Sequence, residues 1–441
     1  MQLSFDSLAG LLAACVVLLL VRWCWPSRRS SGVPQAHPSL PLLGNALAFK
    51  ADSPAFLRDN AARLGPVFEL NLAGFRLVLI GDDATLIKQY FRAGEVRLSS
   101  YQALADVGFA DALGHFNVFE APSIFRTLLR EMPAESFRAR FEASIASCVR
   151  RSLSTTVDWL PTVRHWFLVA IVDAMVGEEF LQASTDFVDR FQRWQDEYED
   201  AVAKCFVAPR FARPWIMKPI ARGRIALRDT LASFVGARRG ATCEQDFLGC
   251  LMRARSDDSD AKLADAMISL LTAAPKNTSI AFANMLMFTH DAPDELMLRL
   301  SDPKVLNSCL TATLRLTNLA IGSVRVVVNE PLVLSSASGV EYVLPVGTRV
   351  GASHLLRSCP QPVDFVTMLR EDAPDSLAFS GGLHLCPGAK LAFEMAAAAT
   401  RAWISARAAF AANAPPKPPL CFQKATLAQR RGPWLVQLVS Q

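Results

Sequence analysis

Phe379-Ser380-Gly381-Gly382-Leu383-His384-Leu385-Cys386-Pro387-Gly388 runs straight into Ala389-Lys390-Leu391-Ala392-Phe393-Glu394-Met395-Ala396. The cysteine stands where a glycine-bearing loop meets a helix. Pro387 has the fixed φ that suits a first helical position, so the spacing predicts Cys386 as the N-cap. There, free backbone N–H groups and the positive end of the helix dipole favour an anionic sulfur. Gly382 and Gly388 let the backbone approach something flat and large, and Phe379 can cover the sulfur.

A haem iron held by cysteine fits those demands. The pattern Phe-x-x-Gly-x-x-x-Cys-x-Gly is filled at each fixed place by Phe379, Gly382, Cys386 and Gly388. In this the stretch resembles the cysteine loop of the cytochrome P450 family, in its membrane-anchored eukaryotic form. The resemblance implies a mainly α, triangular fold with a small β region and an N-terminal transmembrane helix. It implies heme b, with Cys386 as the metal-binding axial thiolate and Phe379, Gly382 and Gly388 around the cofactor. It also implies that His384, and Arg325 after Ser323-Val324, contact the haem propionates. Without the resemblance, Cys386 would also suit a buried structural thiol, and His384 a surface histidine.

The chain has 441 residues, enough for one very large domain or two ordinary ones. Hydrophobic residues make up 51%, and the mean hydropathy of +0.23 is high for a soluble enzyme. The net charge of +5 is modest, and no Lys/Arg block argues for nucleic acid. Ten cysteines without CxxC spacing indicate neither a disulfide framework nor a zinc site. A reducing, cytosol-facing compartment follows.

Leu8 to Val21 is an unbroken small-to-apolar run, followed by Arg22 and Trp23-Cys24-Trp25-Pro26. Residues 1–26 are expected to form a single-pass anchor, with Arg22 snorkelling and the tryptophans interfacial. Arg28 and Arg29 put the catalytic part in the cytosol, at the endoplasmic reticulum membrane. A cleaved signal peptide is the rival reading. Residues 27–45 form a proline-rich hinge (Pro34, Pro38, Pro41), and 46–441 the haem-binding catalytic domain.

Ser53-Pro54 is expected to open a helix that Gly65 closes. Val67–Leu72 and Arg76–Ile80 read as a hairpin, and Asp82-Asp83 as the next cap. A glycine- and aromatic-bearing stretch spans Ser99–Ala121. Helical patterns follow at Asp158–Val176, Ala183–Lys204, Pro219–Ala237, Glu244–Arg255 and Ala261–His290. Short strands are expected at Val324–Val328, Val333–Ser335 and Tyr342–Val343. Between Phe206 and Lys218, basic and bulky apolar side chains alternate, as in a loop with buried aromatics or in a patch dipping into lipid.

Ala273-Ala274-Pro275-Lys276-Asn277-Thr278-Ser279 is similar to the family's distal-helix motif, with Thr278 in the alcohol position and Asn277 in place of the acid. Asparagine hydrogen-bonds but cannot exchange a proton at neutral pH. Pro275 is expected to kink the helix, and Asn277 and Thr278 also suit a pair bonding the kinked backbone. The family's Asn-Thr branch includes sterol hydroxylases and peroxide-rearranging isomerases. Ala121–Arg130 lacks the Trp-Arg-x-x-Arg signature, although Arg126 and Arg130 suit propionates or solvent equally.

Cys309–Leu316 aligns with the family's Glu-x-x-Arg helix, but Ala312 stands where the glutamate should be, leaving Arg315. Another carboxylate could pair Arg315, Arg315 could turn to solvent, or the core could be weakened. Little room remains between His290 and Leu306 for the two helices usual there. The resemblance implies a monooxygenase of secondary metabolism acting on a lipophilic terpenoid, sterol or polyketide. Thr278 and Asn277 would serve catalysis, and an NADPH-dependent reductase would supply electrons. The alternatives are a haem-thiolate isomerase or dehydratase needing no reductase, and a degenerate, non-catalytic family member.

Overall fold

The computed structural model describes residues 32–41, 43–106, 134–208, 210–239, 246–292, 294–370, 377–424 and 426–440. The anchor expectation, the aromatics Phe109, Phe116 and Phe119, and the candidates Arg126 and Arg130 lie outside these residues. The described chain is mainly helical with a small strand component. It divides into two compact units, Met1–Ala103 with Ala320–Leu356, and Leu104–Leu319 with Arg357–Gln441.

In chain order the first elements are α1 (Ala46–Ala51), α2 (Ser53–Leu64), β1 (Val67–Leu72), β2 (Phe75–Ile80), α3 (Ala84–Arg92), β3 (Leu98–Ser99) and α4 (Ser100–Asp106). Then come α5 (Ala134–Ser152), β4 (Thr156–Asp158), α6 (Trp159–Val176), α7 (Glu178–Ala183), α8 (Phe187–Val207), α9 (Arg213–Arg238), α10 (Phe247–Ala254), α11 (Asp260–Ala273), α12 (Pro275–His290), α13 (Asp294–Leu298) and α14 (Pro303–Leu316). The rest are β5 (Val324–Val327), β6 (Leu332–Ser335), β7 (Glu341–Leu344), β8 (Arg349–Ala352), α15 (His354–Ser358), α16 (Phe365–Arg370), α17 (Ala389–Ser405), β9 (Ala408–Phe410), β10 (Leu420–Cys421), β11 (Gln429–Arg430) and β12 (Leu435–Ser440).

The first unit is built on a five-stranded sheet in the order β1-β2-β8-β5-β3. The expected hairpin forms with Val67 opposite Ile80 and Leu72 opposite Phe75. Its turn puts Ala73 and Gly74 at positive φ. α2 is capped by Asp52, whose carboxylate accepts from Ala55 N–H at 3.0 Å, so Ser53 is its first helical residue rather than its cap. A carboxylate so placed offsets the helix's unpaired N–H groups. Asp83 caps α3 as expected.

The second unit is helical, with a three-stranded sheet β4-β12-β9. α6 runs through it as the one described helix long and apolar enough to cross a membrane, and 67% of it is buried inside the protein. Its first residue, Trp159, meets Trp166, Trp403 and Phe410 edge-on and donates from Nε1 to Ala283 O at 3.2 Å. Burial of the indole with its N–H satisfied joins α6 to α12. The helix expected to begin at Pro219 begins at Arg213 and carries Pro219 in its interior. Buried Met217 and Ile220 flank the proline, so packing overrides its local cost of about 3 kcal/mol.

Candidate cysteine-loop site

The expected long helix over Ala261–His290 is two helices that meet at Ala274. Pro275 takes the first position of α12 because it has no N–H to return to Leu271 O. The freed carbonyls are reached instead by the side chain of Gln195 on α8, with Nε2 3.5 Å from Leu271 O and 3.2 Å from Thr272 O.

A small apolar cavity, of about 60 Å³ for a water-sized sphere, opens beside this break. Asn277, Thr278 and Ala281 of α12 line one side; Ala378, Phe379 and the α17 residues Ala392, Phe393 and Ala396 line another. Leu314 and Leu427 also line it. Two elements distant in sequence, the distal-type motif and the approach to the cysteine loop, thus share one cavity. Cys386, His384, Gly382 and Gly388 do not line it.

Thr278 Oγ1 donates to Ala274 O at 3.1 Å, which leaves its lone pairs available. Asn277 Oδ1 accepts from Leu427 N–H at 3.1 Å. Two turns on, Asn284 Nδ2 donates to Ala428 O at 2.9 Å. The two asparagines pin the Leu427-Ala428 segment to α12, and sequence reading had no signal for a partner 150 residues away. Lys276 turns to α8, where its Nζ lies 3.0 Å from Glu199 Oε2 and 3.4 Å from Asp196 Oδ1. Burial lowers its pKa against the opposing pull of Glu199. The signal for this partner was the Asp196-x-x-Glu199 spacing, which puts two acids on one face of a helix.

The cysteine loop is a chain of tight turns. Ser380 N–H donates to Leu377 O at 2.8 Å, His384 N–H to Gly381 O at 3.1 Å, and Cys386 N–H to Phe379 O at 2.9 Å. Gly382 sits at φ +56°, the left-handed region that favours glycine. The expected N-cap is displaced: α17 begins at Ala389 with Gly388 as its cap. Pro387 lies in the turn before it, and the first helical bond runs from Ala392 N–H to Gly388 O at 2.8 Å.

Cys386 therefore precedes the helix by two further residues. It is exposed, directly after the exposed Leu385, while His384 between Leu383 and Leu385 is part-buried. Desolvation by the surrounding loop pushes the thiol up, and the Gly388 N–H opposes this.

Arg325 belongs to the first unit. Its Nη1 and Nη2 donate to Tyr90 O at 2.8 Å and Ala93 O at 2.7 Å, capping the C-terminal end of α3. The guanidinium lies over the Tyr90 ring at 5.4 Å, and burial pushes the Tyr90 hydroxyl up to about 12. In the second unit Arg315 stays buried, with Nε donating to Ser358 O at 3.0 Å. The expectation that it might turn to solvent is thus corrected: backbone oxygen serves it there. The shortened stretch before α14 holds the five-residue α13.

No family model matches the chain.

Proposed function

We propose that this chain is a haem-thiolate monooxygenase acting on a lipophilic small molecule of terpenoid, sterol or polyketide type. The observation that carries the reading is the apolar cavity lined by Thr278 on one helix and by Phe379 and the helix after Cys386 on the other. Two features support heme b in this reading, although Cys386 itself does not line the cavity. Cys386 offers an exposed sulfur, and Ala281, Ala378, Ala392 and Ala396 keep the cavity wall low. Bound haem would supply oxygen activation, helped by electron donation from the thiolate.

The chain's own residues have distinct tasks in this reading. Apolar walls would bind substrate by burial, at about 25 cal/mol per Å² removed from water. Thr278, already donating to Ala274 O, would accept a hydrogen bond from water in the cavity. Cys386 would hold the iron through its sulfur, and His384 would serve a propionate. An NADPH-dependent reductase would be the electron donor.

Phe211 (73% exposed) and Trp215 (71% exposed) form an exposed edge-to-face pair at 6.3 Å. Lys218 and Arg222 are exposed along the same stretch of α9. This mixture supports contact with membrane lipid, from which a lipophilic substrate would partition.

A second reading, an isomerase or dehydratase needing no reductase, is favoured by one observation. The acceptor atom of Asn277 is taken by Leu427 N–H, so Asn277 is ill suited to relay protons. The carbon monoxide difference spectrum of the reduced protein tests both: a thiolate-type Soret band is expected, and its absence after expression with adequate haem overturns both. Substrate-dependent NADPH consumption with a reductase then selects the monooxygenase.

A further inference from the structure

The break between α11 and α12 is gripped by side chains that do not line the cavity. Gln195 takes the carbonyls beside Pro275. One turn along α8, Glu199 Oε2 meets Lys276 Nζ at 3.0 Å. Asp196 Oδ1 is shared between Lys276 at 3.4 Å and Arg164 of α6 at 2.7 Å. The side chains of Lys276 and Glu199 are each only 8% exposed, so little water competes with their attraction. Glu199 Oε1 is buried and accepts no hydrogen bond among the described residues, so the carboxylate is committed to Lys276 through one oxygen. α8 is itself fixed to α9, because Trp194 Nε1 donates to Ile220 O at 2.9 Å. Gly223 has no room for a Cβ, which would lie 2.9 Å from the Trp194 ring.

We propose that Glu199 is a positioning residue of the cavity, acting through Lys276 as a latch that holds α8 on the helix break. Lys276, Asn277 and Thr278 are consecutive, so a shift of the Lys276 backbone carries the two cavity residues with it. Pro275 removes the helical bond that would otherwise resist that shift. With the latch intact, Thr278 has one position and the cavity is pre-organised for an apolar guest. With the latch broken, only Gln195 and the Asp196 shared with Arg164 remain on the break. The inference stands on the cavity and the ion pair, and does not require haem.

Hydrogen exchange of the full-length protein, read at residues 276–280 with and without benzene, tests the latch. Benzene is the probe because apolar cavities large enough to hold it bind it. Glu199→Gln is expected to speed exchange in this segment about tenfold and to weaken benzene binding about fivefold, within the usual range of coupling between sites. In an Asp196→Asn background, where no second carboxylate faces position 276, the swap Glu199→Lys with Lys276→Glu is expected to restore both to within about twofold of that background. If Glu199→Gln only lowers Tm, leaving segment exchange and benzene affinity unchanged, the pair is mere packing and the latch is wrong. Failure of the swap to restore either quantity also overturns it, as does a wild-type cavity that takes up no benzene. Should Glu199→Gln not fold, Glu199→Asp keeps the charge but withdraws the carboxylate, and is read by the same criteria. Missing haem with a normal latch response would refute the haem reading alone.

Discussion

The cysteine loop and the helix break solve opposite problems. The loop holds an exposed thiol on backbone hydrogen bonds made within ten residues, from Leu377 to Cys386. The break is held by buried side chains drawn from α6, α8 and α12, with charge meeting charge. A backbone-built loop keeps its shape when one side chain is changed, because its turns do not depend on that side chain. A buried ion pair fails when either partner is lost, because the survivor is left desolvated.

Four substitutions and one pH series would break or sharpen that contrast. Cys386→Ser has the largest expected effect: complete loss of thiolate-type Soret absorption, with Tm of the haem-free protein unchanged. Persistent pigment would break the haem reading. Lys276→Met strips Glu199 of its counter-charge and should cost about 3–5 kcal/mol in denaturant unfolding. A loss below about 1 kcal/mol would mean that water already reaches the pair.

His354 supplies the unpaired reference in the first unit. It is fully buried, neither ring nitrogen has a hydrogen-bond partner among the described residues, and desolvation pushes it down to about 4. The folded protein binds fewer protons than the unfolded chain between the ordinary value of 6.5 and 4. Its contribution is therefore fully present above pH 6.5 and falls away with acid. Integrated over this window the loss is about 3 kcal/mol. His354→Leu should flatten the slope of unfolding free energy between those pH values; an unchanged slope would assign it to other groups.

Asn277→Ala removes the acceptor of Leu427 N–H and should cost about 1–3 kcal/mol. A neutral result would show that water replaces the amide. Trp215→Ala should leave Tm unchanged, since the side chain is exposed, while lowering partition of the protein onto phospholipid vesicles about tenfold. That measurement requires a form lacking residues 1–26, compared with the same form carrying Trp215.

Much of the local architecture was readable. Ala73-Gly74 between alternating apolar runs marked the β1–β2 turn, Asp83 the start of α3, and Pro275 the interruption before α12. Each of these acts through sterics or hydrogen bonds within a few residues. The candidate site was readable in part. Phe379 and Thr278, from the two motifs, line one cavity. Yet Cys386 was misjudged as the N-cap, because a proline suits the turn before a helix as well as its first position. The resemblance implies an anion for Arg325, and the structure gives its two Nη groups the carbonyls of Tyr90 and Ala93 at the end of α3. An arginine's charge is visible in a sequence; the carbonyls that will face it are not.

The order of residues alone established the cysteine loop, the helix periodicities and the places where the chain must turn, because glycine, proline and short-range hydrogen bonding limit the backbone locally. Folding settled which way Lys276 points, what Asn277 holds, and which residues enclose the cavity. Those outcomes depend on groups such as Glu199 and Leu427, far along the chain, that meet only when burial of the apolar surfaces brings their helices and loops together.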